Sequence, residues 1–344
     1  MKTTGSDRDF HVILCSVGRR SYLAHYFRKA LSGRGKVLAT NCVPDAPGMI
    51  AADQAFLVPP AYENGFIERL LDICRRHRPR LLFSLHDLEV SVLSRHTEAL
   101  KRLGTFPVLA SPGFCDTCMD KFATVGFAED HGLNAAKTYL SVEDARAAIR
   151  EQTINYPVVL KPRYGFGSIG LCEAHDEREM EMRFDLLRME IARTTIAMAS
   201  AKDEKNVILI QQKLQGTEYG LDVINDLQGG FVTCLIERKL GMRAGETDAA
   251  VIVEDDNLFA LGKRLGEIAR HPGVLDVDVI VQDNIPHVLE MNPRFGGHYP
   301  FAHMAGADIP SALIAWAEGR QPEPSWLRAV PGIRCFKDIA LIIT

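Results

Sequence analysis

Two hydrophobic rhythms divide the chain. In the first third, apolar runs of strand length (HVILCSV, KVLATNCV, PRLLFSL and FPVLA) alternate with stretches of helical spacing. In SYLAHYFRKAL, Tyr22, Leu23, Tyr26, Phe27 and Ala30 share one helix face. FIERLLDICRRH carries basic residues in its last turn, as the helix dipole favours. EVSVLSRHTEALKRLG reads as a third helix. Strands alternating with helices pair in parallel, so this part predicts an open α/β sheet. The turn cluster Ser111-Pro112-Gly113 closes it.

Further on, CMDKFATVGFAEDHGL reads as a helix ending at Gly132, and TYLSVEDARAAIRE as a strand followed by a helix. YPVVLKPRYGFGSIGLCEA reads as strand, glycine-rich loop, strand, and a charged helical segment is expected at about 176–205. The remainder is rich in strands: VILIQQKL, EYGLDVIND, GFVTCLIERKL, VLDVDVIVQ and IPHVLEMN, with helices at NLFALGKRLGEIARH and IPSALIAWAEG. The 344 residues are long for one core. The expected units are an N-terminal α/β domain over 1–112, a linker helix with a small subdomain over 113–212, and a C-terminal subdomain over 213–344.

Composition narrows the partners. Apolar residues are 47% and charged residues 24%, as in ordinary globular proteins. A net charge of −4 and a pI near 6.3 carry no basic footprint, so neither nucleic acid nor an anionic membrane surface is expected. No apolar run approaches the roughly 20 residues that span a bilayer. The N-terminus, MKTTGSDRDF, has no signal-peptide apolar region, so a cytoplasmic setting is expected. Eight cysteines are scattered, and the C-x-x-C of Cys115 and Cys118 lacks the second ligand pair of a structural zinc site. Two reduced thiols at a loop-to-helix junction are expected there.

Two stretches carry chemistry. Lys161 ends an apolar strand and is followed by Gly165, Gly167, Ser168 and Gly170. Glycines let backbone N–H groups approach phosphate oxygens, and lysine adds a point charge. The run is not a Walker A loop, and a plain glycine hairpin would look the same. In LDVDVIVQDNIPHVLEMNPRFGG, Asp278 lies mid-strand, and Glu290 and Asn292 are two apart on the next strand. Paired antiparallel strands would present all three on one face, an oxygen set suited to Mg²⁺. Arg294 follows, placed to neutralise a phosphoryl group in transfer. Between the two stretches, a polar hinge of Gln211, Gln212 and Lys213 could read an adenine edge, and Glu218 could accept ribose hydroxyls.

The order of these pieces resembles the ATP-grasp superfamily: Lys-Pro with a glycine loop, an apolar strand with Gly-x-Glu, then Glu290-Met291-Asn292-Pro293-Arg294. Gly18-Arg19-Arg20 and Asp120-Lys121 extend the resemblance over nearly the whole chain. It is similar to single-module proteins that look like the carbamoyl-phosphate synthase large subunit. The resemblance implies an ATP-grasp fold, α/β and α+β, behind a Rossmann-like parallel-sheet domain. It implies ATP and Mg²⁺ (or Mn²⁺) as cofactors. Lys121 and Lys161 would approach the nucleotide, Gly165, Gly167 and Ser168 would close over phosphates, and Gln211, Gln212, Lys213 and Leu214 would meet adenine. Glu218 would sit near ribose, Asp278, Glu290 and Asn292 would bind metal, and Arg294 would stand near the transferred phosphate.

The implied reaction makes an acyl-phosphate from a small carboxylate and joins it to an amine. Transfer to a carrier-protein thiol or a protein chain, and a non-catalytic nucleotide-binding protein, are the alternatives. A homodimer is expected from similar proteins. The acceptor side is open. Arg243, on a glycine-bearing loop, suits a substrate carboxylate or is a solvated loop arginine. Arg19 and Arg20 open the first helix, a natural anion site. Asp87 and Glu89 could hold an ammonium group, or Asp87 could cap its helix. His298 is a candidate specificity residue, whereas His86, His287 and His303 read as packing or surface histidines.

Overall fold

The computed structural model describes residues 9–165, 169–194, 203, 205–339 and 341–342. Three sheets organise them. The first has strands β1 (Val12–Cys15), β2 (Val37–Asn41), β3 (Gln54–Leu57), β4 (Leu81–Ser84) and β5 (Phe106–Pro107), all parallel, in the order β3-β2-β1-β4-β5. Both β1 and β4 are buried along their length, as in a sheet covered on both faces. The apolar runs made four of these strands legible. The fifth, β3, alternates half-buried and exposed positions and was not predicted. The chain runs outward through β2 and β3, then returns to β4 beside β1. The strand order therefore reverses between β1 and β4, where open α/β sheets form their ligand crevice.

The second sheet joins β7 (Thr138–Tyr139), β8 (Val158–Pro162), β9 (Cys172–Ala174) and β10 (Ile208–Gln212) in the antiparallel order β7-β10-β8-β9. It has its own core, closed by the helices Val142–Arg150 and Glu177–Ile191 through Ala145, Ala148, Met180 and Leu187.

The third sheet holds β6 (Asn134–Ala135), β11 (Thr217–Asn225), β12 (Phe231–Arg243), β13 (Glu246–Ile252), β14 (Gly273–Gln282), β15 (Ile285–Asn292) and β16 (Arg334–Phe336), ordered β16-β13-β12-β11-β14-β15-β6. Strand alternation splits its residues between two faces. Leu221, Val223, Cys234, Ile236, Leu275 and Val277 pack with Leu258, Leu261 and Leu265 of the helix Asp256–Ala269. The alternate positions include Asp222, Glu237, Lys239, Asp276 and Asp278. Apolar residues on that other face, Ile224, Leu235 and Val274, join a core that also contains Leu14, Phe83, Phe295 and Tyr299. The third sheet is thus cemented to the first.

The helix predicted after β4 divides into Asp87–Ser94 and Thr97–Arg102, whereas the one expected from Cys118 starts at Lys121 and runs to Asp130, behind a separate helix, Pro112–Met119, that was not predicted. Asp120 caps the helix Lys121–Asp130 by accepting from the N–H groups of Phe122 and Ala123, which starts it there. Cys115 and Cys118 are buried free thiols within the helix Pro112–Met119. Among the described residues no helix is long and apolar enough to cross a membrane.

Candidate active site

Antiparallel register puts Asp278 opposite Glu290 and Asp276 opposite Asn292 across β14 and β15. These side chains share a face because their spacing is two residues on each strand. Lys121, at the start of its helix, lies 3.3 Å from Glu290 Oε2 and also donates to the Gly165 carbonyl. Lys161 stands near the end of β8. With Lys121, Gly165, Glu218, Asp278 and Glu290 it lines a cavity of about 120 Å³ whose apolar wall includes Ile169, Leu171 and Leu289. Burial, with the Lys121 charge alongside, lowers the Lys161 ammonium to about 8.

A larger cavity of about 350 Å³ adjoins it and shares Glu218, Asp278 and Glu290. The loop after β1 (Ser16–Arg20) and the turn after β4 (Leu85–Asp87) form its other wall. This is the crevice at the reversal of strand order in the first sheet. Arg19 and Arg20 reach it, as does His86. Arg20 donates to the Phe295 carbonyl at 2.8 Å; burial, then the nearby Arg294 charge, lowers its pKa.

Arg294 forms the floor. It makes a bidentate pair with Asp87 at 2.7 and 2.9 Å and a further bond to Asp276 at 2.9 Å. Burial works against its charge, yet the two carboxylates raise its pKa well above the ordinary value. The same pairing holds Asp87 below the usual carboxylate range against the pull of burial. Asp87 therefore neither caps its helix, whose N-terminal residue has no side-chain cap, nor stands ready for an ammonium group.

Lys239 was not singled out in the sequence, yet it is almost fully buried, 2.7 Å from Glu218 and 2.6 Å from Asp278. Burial opposes its charge, but Asp278 and Glu218 hold the ammonium above the ordinary lysine value. The signal was available in GFVTCLIERKL: Glu237 and Lys239 occupy alternate positions, on the same side as Leu235.

Other predicted residues lie elsewhere. Gly167 and Ser168 are outside the described residues. Gln211 spends its amide on Thr138 Oγ1 at 2.7 Å, Lys213 pairs with Glu173 at 2.6 Å, and Leu214 is buried. Gln212 and Lys213 line a separate cavity of about 300 Å³ with Tyr156 and Gln282. Arg243 is not on a loop. It ends β12, opposite Glu246 across the tight turn at Ala244-Gly245, and pairs with Asp248 at 2.6 Å. Its neighbours Met242, Gly245 and Glu246 line the larger cavity. His298 is buried and lines that cavity, His303 stacks on Tyr26 at 3.5 Å, and His287 is turned toward the Ile285 carbonyl.

Glu89 is fully buried and accepts from Ser16 Oγ at 2.5 Å and Ser84 Oγ at 2.7 Å. Burial outweighs both bonds and pushes its pKa up from 4.5 to about 7. The native chain thus keeps this proton to higher pH than the unfolded chain. Stability from this group is full below about 4.5 and is lost as pH rises through about 7, by roughly 3 kcal/mol. Thermal melts of wild type and Glu89→Gln between pH 4.5 and 8 should show wild type losing stability relative to the variant.

Two family models match separate stretches of the chain. Residues 12–108 match the PylC-like N-terminal domain family, and residues 204–335 match the family described as ATP-grasp in the biosynthetic pathway with Ter operon. The chain thus joins a PylC-like N-terminal domain to an ATP-grasp domain. It is 24% identical over 301 residues to the carbamoyl phosphate synthase large chain of Gemmatimonas aurantiaca, covering 83% of this chain and 26% of that one. The chain spans about a quarter of the length of such curated relatives. Among solved structures, the biotin carboxylase domain of the Hydrogenobacter thermophilus 2-oxoglutarate carboxylase, a dimer with MgADP and bicarbonate, has a TM-score of 0.72 at 16% identity, covering 94% of this chain and 73% of that one. The L-amino acid ligase of Bacillus licheniformis has a TM-score of 0.70 at 18% identity, covering 94% and 79%.

Proposed function

We propose that this chain is an ATP-dependent ligase that activates a small-molecule carboxylate as an acyl-phosphate and joins it to an amine, releasing ADP and phosphate. The observation that carries the reading is the register of β14 and β15. It sets Asp278 against Glu290 within one cavity that also holds Lys121 and Lys161.

The donor chemistry fits magnesium. Asp278, Glu290 and Asn292 offer oxygens, and ammonium groups already lie against both carboxylates, Lys239 on Asp278 and Lys121 on Glu290. A bound Mg²⁺ would screen the phosphate charge and polarise the group being transferred. Lys121 and Lys161 would hold phosphate oxygens, and Ile169, Leu171 and Leu289 would form a dry wall. The larger cavity receives the acid and the amine. Arg19 and Arg20, which reach this cavity, supply positive charge for the substrate carboxylate and the developing acyl-phosphate, while Arg294, held by Asp87 and Asp276, fixes the floor. The chain's residues thus supply positioning and charge neutralisation, which phosphoryl transfer chiefly requires.

The L-amino acid ligase neighbour, by its name, joins amino acids, which favours an amine acceptor over a carrier-protein thiol. A homodimer and a cytoplasmic setting belong to the same reading. The test is ADP and phosphate release with paired small acids and amines. Release that needs both partners is expected. ATP binding by calorimetry with no release from any pair would overturn the ligase assignment in favour of a nucleotide-binding protein without catalysis.

A further inference from the structure

Behind Arg294 lies a buried cluster that the ligase reading does not use. Asp222 of β11, Glu237 of β12 and His298 converge there, with relative exposures of 0%, 0% and 3%. His298 Nδ1 is 3.5 Å from Asp222 Oδ2 and 3.2 Å from Glu237 Oε2. None of the four carboxylate oxygens, nor Nδ1 itself, has a hydrogen-bond partner among the described residues. Buried polar atoms without partners are rare because each forfeits its hydration for nothing. Apart from the approach of Nδ1 to the two acids, the three groups converge without a partner, which calls for an occupant.

Three features specify it. First, spacing: ligands held about 2.0–2.1 Å from one ion in a tetrahedron are roughly 3.3 Å apart, close to the two distances from Nδ1. Second, the other side of the imidazole: Nε2 is engaged by Asp276 Oδ1, and Asp276 is tied to Arg294 at 2.9 Å. A metal-bound histidine characteristically gives its second nitrogen to a carboxylate, which fixes the tautomer and turns the free lone pair to the ion. Third, charge: Arg294 is already shared between Asp87 and Asp276, so beside a neutral imidazole the buried carboxylates of Asp222 and Glu237 stand uncompensated. One divalent cation balances both, whereas unbalanced charges there would be costly.

The space is also prepared. A Cβ on Gly220 would fall 2.8 Å from the His298 ring, and one on Gly296 would fall 2.6 Å from the Asp276 carboxylate. Register places Gly220 between Glu237 on one side and Asp278 on the other. Only glycine there lets the imidazole lie flat over the sheet between the acids.

We propose that Asp222, Glu237 and His298 Nδ1 bind a divalent transition cation of the zinc class, separate from the nucleotide's magnesium. One imidazole and two carboxylates suit Zn²⁺ better than Mg²⁺, which prefers an all-oxygen octahedron. The ion holds His298, and through Asp276 it holds Arg294.

The test is metal analysis of the full chain without nucleotide. Protein reconstituted with Zn²⁺ and passed through gel filtration should retain about one zinc per chain. Glu290→Gln should retain it, and Glu237→Gln and Asp222→Asn should lose it. Wild type that leaves the column metal-free would overturn the proposal and assign an imidazolium bridging the two acids. Loss in Glu290→Gln, or retention in Glu237→Gln, would also overturn it by placing the ion elsewhere. If the acid variants do not fold, wild type decides alone. Co²⁺ in this site gives the intense visible absorption of four-coordinate cobalt in excess Mg²⁺, and its absence there overturns the proposal.

Discussion

Glu290→Gln is expected to cut acid- and amine-dependent ADP release by at least about 100- to 1000-fold while the chain stays folded. The amide keeps the shape and can still bond, but it removes one of the two facing charges across β14 and β15. The remaining acid, Asp278, is already matched by Lys239 at 2.6 Å. Without Glu290, Lys121 keeps its bond to the Gly165 carbonyl but loses the carboxylate 3.3 Å away. The local charge then rises by one unit, leaving the ammonium groups of Lys121, Lys161 and Lys239 against Asp278 and Glu218, which favours phosphate and disfavours the cation that should accompany it. ATP should therefore still bind, measured by calorimetry, with a weakened dependence on Mg²⁺. Release at wild-type rate would refute the assignment of Glu290 to metal.

Arg294→Ala carries the largest expected effect on stability, a loss of about 3–5 kcal/mol. The guanidinium is buried and satisfies Asp87 and Asp276 together. Removing it strands two buried carboxylates and opens a cavity. Arg294→Lys should recover only part of the loss, because an ammonium cannot reproduce a bidentate fork and a third bond at once. Adding Asp87→Asn to Arg294→Ala should cost less than the sum of the two single changes, because the stranded charge disappears. Urea denaturation of the four proteins measures this. Strict additivity would show that the pair does not couple.

The shared face of Asp278, Glu290 and Asn292 was legible because it rests on local rules: Glu290 and Asn292 are two residues apart in an otherwise apolar strand, and Asp278 lies opposite on the adjacent one. The glycine-rich run after Lys161 likewise announced a turn between β8 and β9, and these do pair. What stayed hidden depends on distance in sequence. Arg294 meets Asp87 across 207 positions, and no spacing rule reaches that far. Asp87 looked like a helix cap because caps are local and this pair is not. Lys239 escaped because a lysine near a strand end looks solvated until its partners on β11 and β14 are known. Arg243 was misplaced because β12 continues farther than GFVTCLIERKL suggests, to the tight turn at Ala244-Gly245. The larger cavity draws on loops after β1 and β4, whose meeting is fixed only by the sheet order.

The Asp87–Arg294 pair bolts the turn after β4 to the end of β15, and the core that runs from Leu14 to Tyr299 and Val274 reinforces the bolt. The first and third sheets therefore act as one anvil. The sheet of β7 to β10 packs around its own core and carries Lys161 and the glycine-rich run. Under the proposed function, admission of nucleotide and release of product would fall to that arm, over a base cross-braced by the Asp87–Arg294 pair.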